Sequence, residues 1–198
     1  NDPDFVKAAN CIKELVDMGA FIDGATGLSN DEASASFYAE QVPMYFTGSW
    51  MGGSIVTDAE KPDNFAVAPI PVVNSKNASV TDFMGGGSDT LMVSANTKNK
   101  DLAAAAAFEI TRGVSKHAYL SGAGIPAWTV DYDASSVPAL TQQVADIAGK
   151  ATSYTLWFDT LMSSDDAGEY LTLLQSLFAG DLKPEEFAAS MDKQLSKK

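Results

Sequence analysis

Val42-Pro43-Met44-Tyr45-Phe46-Thr47-Gly48-Ser49-Trp50 is the stretch on which the reading of this chain turns. Met44 to Phe46 are apolar and aromatic, which predicts a short buried strand. Gly48 and Ser49 stop it, and Ser49 is placed to cap a helix opening at Trp50-Met51. The first turn of such a helix presents unpaired N–H groups. In an open α/β sheet that turn lies at the carboxyl end of a strand, where ligands bind. One large aromatic face would then stand beside a row of backbone donors. A sugar suits that pairing, because its C–H face stacks on a ring and its hydroxyls take hydrogen bonds. Trp50 reads equally well as a core filler, since buried aromatics are common. On this stretch alone both readings stay open.

Composition narrows the classes. The 198 residues suffice for one good-sized domain or two small ones. A formal net charge of −13, from 26 acids against 13 bases, offers no basic surface to a phosphate backbone or an anionic membrane. Cys11 is the single cysteine, so no disulfide can form within the chain, and its neighbours predict a small core side chain. With one cysteine and one histidine, His117, no metal-ligand spacing emerges and no cofactor is expected. A Ser-His-Asp triad would need His117, which lies in a predicted helix away from any nucleophile elbow.

Around the opening stretch, Asp2 and Pro3 start a helix whose apolar stripe runs from Phe5 to Val16 and ends at Gly19. Ser29 and Glu32 have the spacing of a capping box, ahead of a helix from about Asp31 to Glu40. Phe65 to Ala68 and Thr90 to Ala95 predict two more strands. The run Gly85-Gly86-Gly87-Ser88-Asp89 between them fits neither phosphate-loop pattern. It reads as backbone that approaches a ligand closely or bends at a hinge. Helices are predicted over 102–112, 115–120, 137–147 and 167–179, with Ser164, Asp165 and Asp166 as caps for the last of these. Another begins at Pro184, with Lys193, Lys197 and Lys198 near its end. Three strands are few for seven or so helices. Either short strands escape the pattern, or part of the sheet lies on residues not in this chain.

Five segments in order carry a family resemblance: VPMYFTGSW; NFAVAPIP; GGGSDTLMVSANTKNKDLAAAAAFEI; GAGIPA; and LWFDTLM followed by LFAGDLKPEEFAASMDKQL. The chain resembles the C-terminal half of an extracellular sugar-binding protein of an ABC importer, in the family-1 solute-binding group that includes maltose- and raffinose-type binders. That resemblance implies an α/β, periplasmic-binding-protein-like type II fold, mostly the C-terminal lobe with an incomplete segment of the N-terminal lobe. By it, residues 1–80 are the first part of the C-terminal lobe. Residues 81–131 return to the N-terminal lobe, and 132–198 lead back to a helical second part. The middle segment would have lost its sheet partners. It would be disordered, repacked, or paired with another molecule through an unpaired sheet edge.

The same resemblance assigns ligand-binding positions. Trp50 and Ser49 follow the strand-turn, Gly86, Gly87 and Asp89 form the hinge-proximal run, and Trp157, Phe158 and Asp159 form an aromatic-acid motif. The chemistry agrees: a neutral polyol needs flat apolar faces and carboxylates that accept from its hydroxyls. For Asp89 and Asp159 the competing reading is a turn or cap residue, and Trp128 reads as packing. The implied function is reversible carbohydrate binding and delivery to permease subunits of an ABC importer, without enzyme activity. The implied location is extracytoplasmic, periplasmic or as a membrane-anchored lipoprotein. The alternatives are a glycoside hydrolase with Asp89 and Asp159 as its carboxylate pair, or the same binding fold specific for a non-sugar solute.

Overall fold

A computed structural model describes residues 2–86 and 89–196. Seven helices and two short strands run in the order α1 Pro3–Asp17, α2 Asn30–Tyr38, α3 Met51–Asp58, β1 Asp82–Met84, α4 Lys100–Ser121, α5 Ala139–Ala148, β2 Ser153–Thr155, α6 Ser164–Ala179 and α7 Pro184–Leu195. The chain divides into two compact units, one of residues 1–34 and 156–198, the other of residues 35–155.

The first unit is three helices around one core. The Asp2 carboxylate caps α1 by accepting from the Asp4 N–H at 2.8 Å, and Pro3 occupies the first turn, where its missing donor costs nothing. Gly19, at φ 69°, closes the helix in the left-handed region as predicted. Ser163 rather than Ser164 caps α6: its hydroxyl accepts from the Asp166 N–H at 3.3 Å and donates to the Asp166 carboxylate at 2.7 Å. The polar run begins one residue before the predicted cap, and Asp166 falls at N3, where its carboxylate reaches back. Ala9, Leu177, Phe187 and Met191 are buried together, with Phe5, Ile12, Tyr170 and Leu174 packed against them. Cys11 lies on the exposed side of α1, against expectation. The buried stripe of that helix follows Phe5, Ala9 and Ile12, and position 11 falls off it.

The second unit has its core between α3 and α5. Met51, Ile55, Ala59 and Leu140 are buried, flanked by Phe37, Tyr38, Tyr45 and Phe65. Glycines make this packing close. A Cβ on Gly52 would lie 2.3 Å from the Thr141 hydroxyl, and one on Gly53 would lie 2.3 Å from the Ser121 carbonyl oxygen. The Gly53 N–H donates to the Gly122 carbonyl at 2.9 Å. Gly122, at φ 79°, ends α4. The start of α3 is therefore pinned between the end of α4 and the fully buried Thr141 of α5.

The sheet differs from expectation. Among the described residues the two paired strands are β1 and β2, parallel, with Asp82 opposite Ser153, Phe83 opposite Tyr154 and Met84 opposite Thr155. Neither was read from the sequence, because three residues carry too little pattern. A polar clasp extends the ladder. The Asp82 carboxylate accepts from the Ser153 hydroxyl at 2.7 Å, the Ser79 N–H at 2.6 Å and the Thr152 hydroxyl at 3.2 Å. These bonds, led by the one from Ser153, hold its carboxyl below the usual carboxylate value. The stretches at 44–46, 65–68 and 90–95, read as strands, form no ladder. Met44 is 83% exposed and Phe46 73%, so that stretch is not the buried strand expected. Only Tyr45 of the three packs inward, stacked on Phe37 with ring centroids 5.6 Å apart. Residues 65–70 alternate half-buried and exposed in strand fashion, yet among the described residues no neighbouring strand takes up their backbone groups. The predicted helices at 102–112 and 115–120 are one helix, α4. Gly113 has open space around it and the chain continues through it.

Candidate functional site

In the second unit, Trp50 is the side chain on which the opening stretch bears. It is 51% exposed, not sealed in the core. Its indole lies directly on Gly48: a Cβ built there would fall 2.1 to 2.6 Å from three carbons of the six-membered ring. Only glycine leaves room for that seat. One part of the ring is thus held against backbone and another faces solvent, the arrangement a stacking platform needs. The Ser49 side chain does not cap α3 as predicted. Ser49 and Trp50 form the turn that enters the helix, the Met51 N–H reaches the Gly48 carbonyl at 3.4 Å, and Trp50 itself occupies the cap position in αR geometry. No side chain caps them, but backbone carbonyls take two of the first-turn donors, Gly48 that of Met51 and Gly122 that of Gly53.

The glycine run follows β1 in the same unit. Gly85 is buried at φ 124° and its N–H donates to the Thr155 carbonyl at 2.8 Å, prolonging the ladder by one bond. Gly86, at φ 151°, is exposed. Both angles fall in a region that side chains disfavour. Gly87 lies outside the described residues. Asp89 is exposed.

The aromatic-acid motif lies in the first unit, on a single 3₁₀ turn over Phe158–Leu161 that leads into α6. The Trp157 carbonyl accepts from the Thr160 hydroxyl at 2.6 Å, and the Asp159 carbonyl from the Met162 N–H at 3.1 Å. These bonds fix the turn. Trp157 and Asp159 are half-buried, while Phe158 is 50% exposed. Phe158 is held by a row of rings, 6.1 Å from Phe5 and 6.2 Å from Tyr170. Burial, and secondarily the Asp159 carboxylate, push the Tyr170 phenol above its ordinary value. Tyr170 and Phe5 as supports of this turn, and Gly48 as the seat of Trp50, were missed in the sequence. Tyr170 and Phe5 stand 12 and 153 positions from Phe158, so no spacing rule links them; Gly48 was read only as a strand stop.

The structure thus joins Gly48, Ser49 and Trp50 in one unit and Trp157, Phe158 and Asp159 in the other. Among the described residues no group of His, Cys, Asp and Glu is arranged to hold a metal ion.

Comparison with known proteins gives a consistent outcome. The profile described as bacterial extracellular solute-binding protein matches residues 1–108. A structure from work on xylan utilization by the thermophilic bacterium Caldanaerobius polysaccharolyticus superposes with a TM-score of 0.90 at 32% identity, covering 98% of this chain and 50% of that one. A chitin oligosaccharide binding protein superposes with a TM-score of 0.81 at 22% identity, over 98% of this chain and 49% of that one. The chain spans about half the length of these structures. No curated protein sequence gives a significant match.

Proposed function

Because the chain belongs to the bacterial extracellular solute-binding protein family, with a partial periplasmic-binding-protein-like fold, we propose that it takes part in reversible carbohydrate capture for an ABC importer. The observation that carries this reading is the half-exposed indole of Trp50 seated on Gly48 at the start of α3. It offers a flat apolar face on which the C–H surface of a sugar ring can stack. Asp159, on a turn fixed by its own hydrogen bonds, supplies a carboxylate acceptor, and Trp157 and Phe158 supply further apolar surface. Gly86, Gly87 and Asp89 complete the proposed ligand-binding set. Families of this name act outside the cytoplasm, and so does this chain; attachment as a lipoprotein is part of the proposal.

In the whole protein the ligand would be held by closure of two lobes, a ligand-driven shift between arrangements. Residues 81–131 would belong to the N-terminal lobe, and 1–80 with 132–198 to the C-terminal one. The unladdered stretch 90–95 supports this, since Leu91, Met92 and Val93 are 48%, 85% and 39% exposed, as strand residues without neighbours would be. The permease subunits are the proposed partners in delivery.

A panel of xylo-, malto- and chito-oligosaccharides incubated with the protein in its longest natural form tests the reading. Calorimetry is expected to show binding of at least one, and chromatography to return every sugar intact. Cleavage products would instead support the hydrolase, and a panel without binding would remove carbohydrate as the ligand.

A further inference from the structure

A hollow of about 220 Å³ lies between α4 and the connector that follows it, lined by none of the residues assigned above. Arg112, Ser115 and Lys116 face it from one side of the helix, at the three- and four-residue spacing that aligns side chains. Trp128, Asp131 and Tyr132 face it from the connector. The connector is tied in place at three points. The Arg112 guanidinium donates to the Asp131 carboxylate, the Ala127 N–H donates to the Ser115 hydroxyl at 3.1 Å, and Trp128 meets Phe108 edge-on at 4.9 Å.

The charges are unusual for this molecule. The chain carries a net charge of −13 and one arginine, and that arginine is here. Lys116 adds a second cation, its Nζ 4.8 Å from the centre of the Tyr132 ring, with no carboxylate within ion-pair distance among the described residues. Two cations thus face one carboxylate. Asp131 takes one donor of a guanidinium that has five, and its own side chain is 56% exposed, open to a further donor. The lining therefore asks for an anionic group and for hydroxyl donors in the same small molecule, beside aromatic faces. The volume is below the roughly 300–1,000 Å³ of drug-sized sites, which fits a single ring.

We propose that this hollow is a second binding site, for one pyranose ring bearing a carboxylate, a hexuronate. Lys116 and the free guanidinium edge of Arg112 take the carboxylate, Asp131 accepts from ring hydroxyls, and Trp128 gives the C–H face a surface. A flat aromatic acid would satisfy Lys116 but offer Asp131 no donor beyond Arg112, and a neutral sugar would leave Lys116 without an anion.

The three tryptophans give three indole N–H signals in a proton–nitrogen spectrum, assigned by single Trp→Phe variants. The protein as its gene encodes it is titrated with methyl β-D-glucuronide, methyl β-D-glucoside and benzoate. The glucuronide is expected to move the Trp128 signal and leave those of Trp50 and Trp157 in place, with the glucoside and benzoate each at least tenfold weaker. Lys116→Gln, at a solvent-facing position, is expected to weaken the glucuronide response about tenfold, since it removes a charge-assisted contact. Lys116→Arg is expected to keep it. Trp50→Ala is expected to leave it unchanged, so the two sites fail separately. An unmoved Trp128 signal, an equal response to glucoside or benzoate, or a Lys116→Gln variant that binds as the parent does would overturn the proposal.

Discussion

At Gly48 the missing side chain is what seats the Trp50 indole. The Trp50 ring occupies the space a methyl group would need, 2.1 Å from the nearest ring carbon. Gly48→Ala must displace the indole, which is half-exposed and free to swing outward. The expected result is little loss of stability, within about 1 kcal/mol, a changed tryptophan emission spectrum, and severalfold weaker sugar binding in a fluorescence titration. Asp82 is the second residue whose chemistry makes a prediction. Its folded carboxyl is held below the ordinary 3.8 by hydrogen bonds, first from Ser153, then from the Ser79 N–H. A depressed folded value contributes stability that is present above the unfolded value and lost as pH falls through the folded one. Asp82→Asn should therefore melt below the parent at pH 7, and the gap should close as the pH is taken below about 4. Melting curves at a series of pH values check both limits.

The elements were legible where a rule acts within a few residues. The Asp2-Pro3 start and the Gly19 stop of α1 came from local chemistry, and so did the Ser29–Glu32 box. In that box the Ser29 N–H donates to the Glu32 carboxylate at 2.8 Å and the Glu32 N–H to the Ser29 hydroxyl at 3.3 Å. Strands were not legible in this way. The apolar runs at 44–46, 65–68 and 90–95 have strand composition, but a strand exists only with a partner, and the partner is set by the rest of the fold. The two strands that do pair, β1 and β2, stand 71 positions apart in register and are joined through Asp82, Thr152 and Ser153. Spans of three residues are too short to give a signal. The family resemblance located the candidate aromatics, yet the seat of Trp50 and the ring row behind Phe158 required coordinates. At the scale of elements the decisive contact is that of α3 with the end of α4. Gly53→Ala would place its Cβ 2.3 Å from the Ser121 carbonyl oxygen and 3.1 Å from the Gly122 carbonyl carbon. Backbone cannot yield as a side-chain tip does. The expected cost is about 1–3 kcal/mol, the usual penalty of overpacking, seen as a lower midpoint in denaturant with an unchanged slope.

For the whole molecule, the notable fact is how much apolar surface α4 leaves uncovered. None of its 22 residues is buried, and Leu102, Ile110 and Val114 are 69%, 51% and 61% exposed. A helix with that surface and an adjoining unladdered stretch is what an α/β layer looks like when its sheet is elsewhere. The chain spans about half of each structure it resembles while superposing over 98% of its own length. The proposed lobe assignment of residues 81–131 accounts for both facts at once. Under the proposed function, binding draws on residues from separate stretches of sequence, and Trp50 is the proposed contact whose seat in this chain is best defined. The most direct measurement is calorimetric titration of the tightest-binding oligosaccharide into the parent protein and into Trp50→Ala. The account predicts affinity lower by roughly tenfold in the variant, about the upper end of what an aromatic stacking contact contributes, with the melting temperature unchanged. Equal affinity in the two proteins would contradict it.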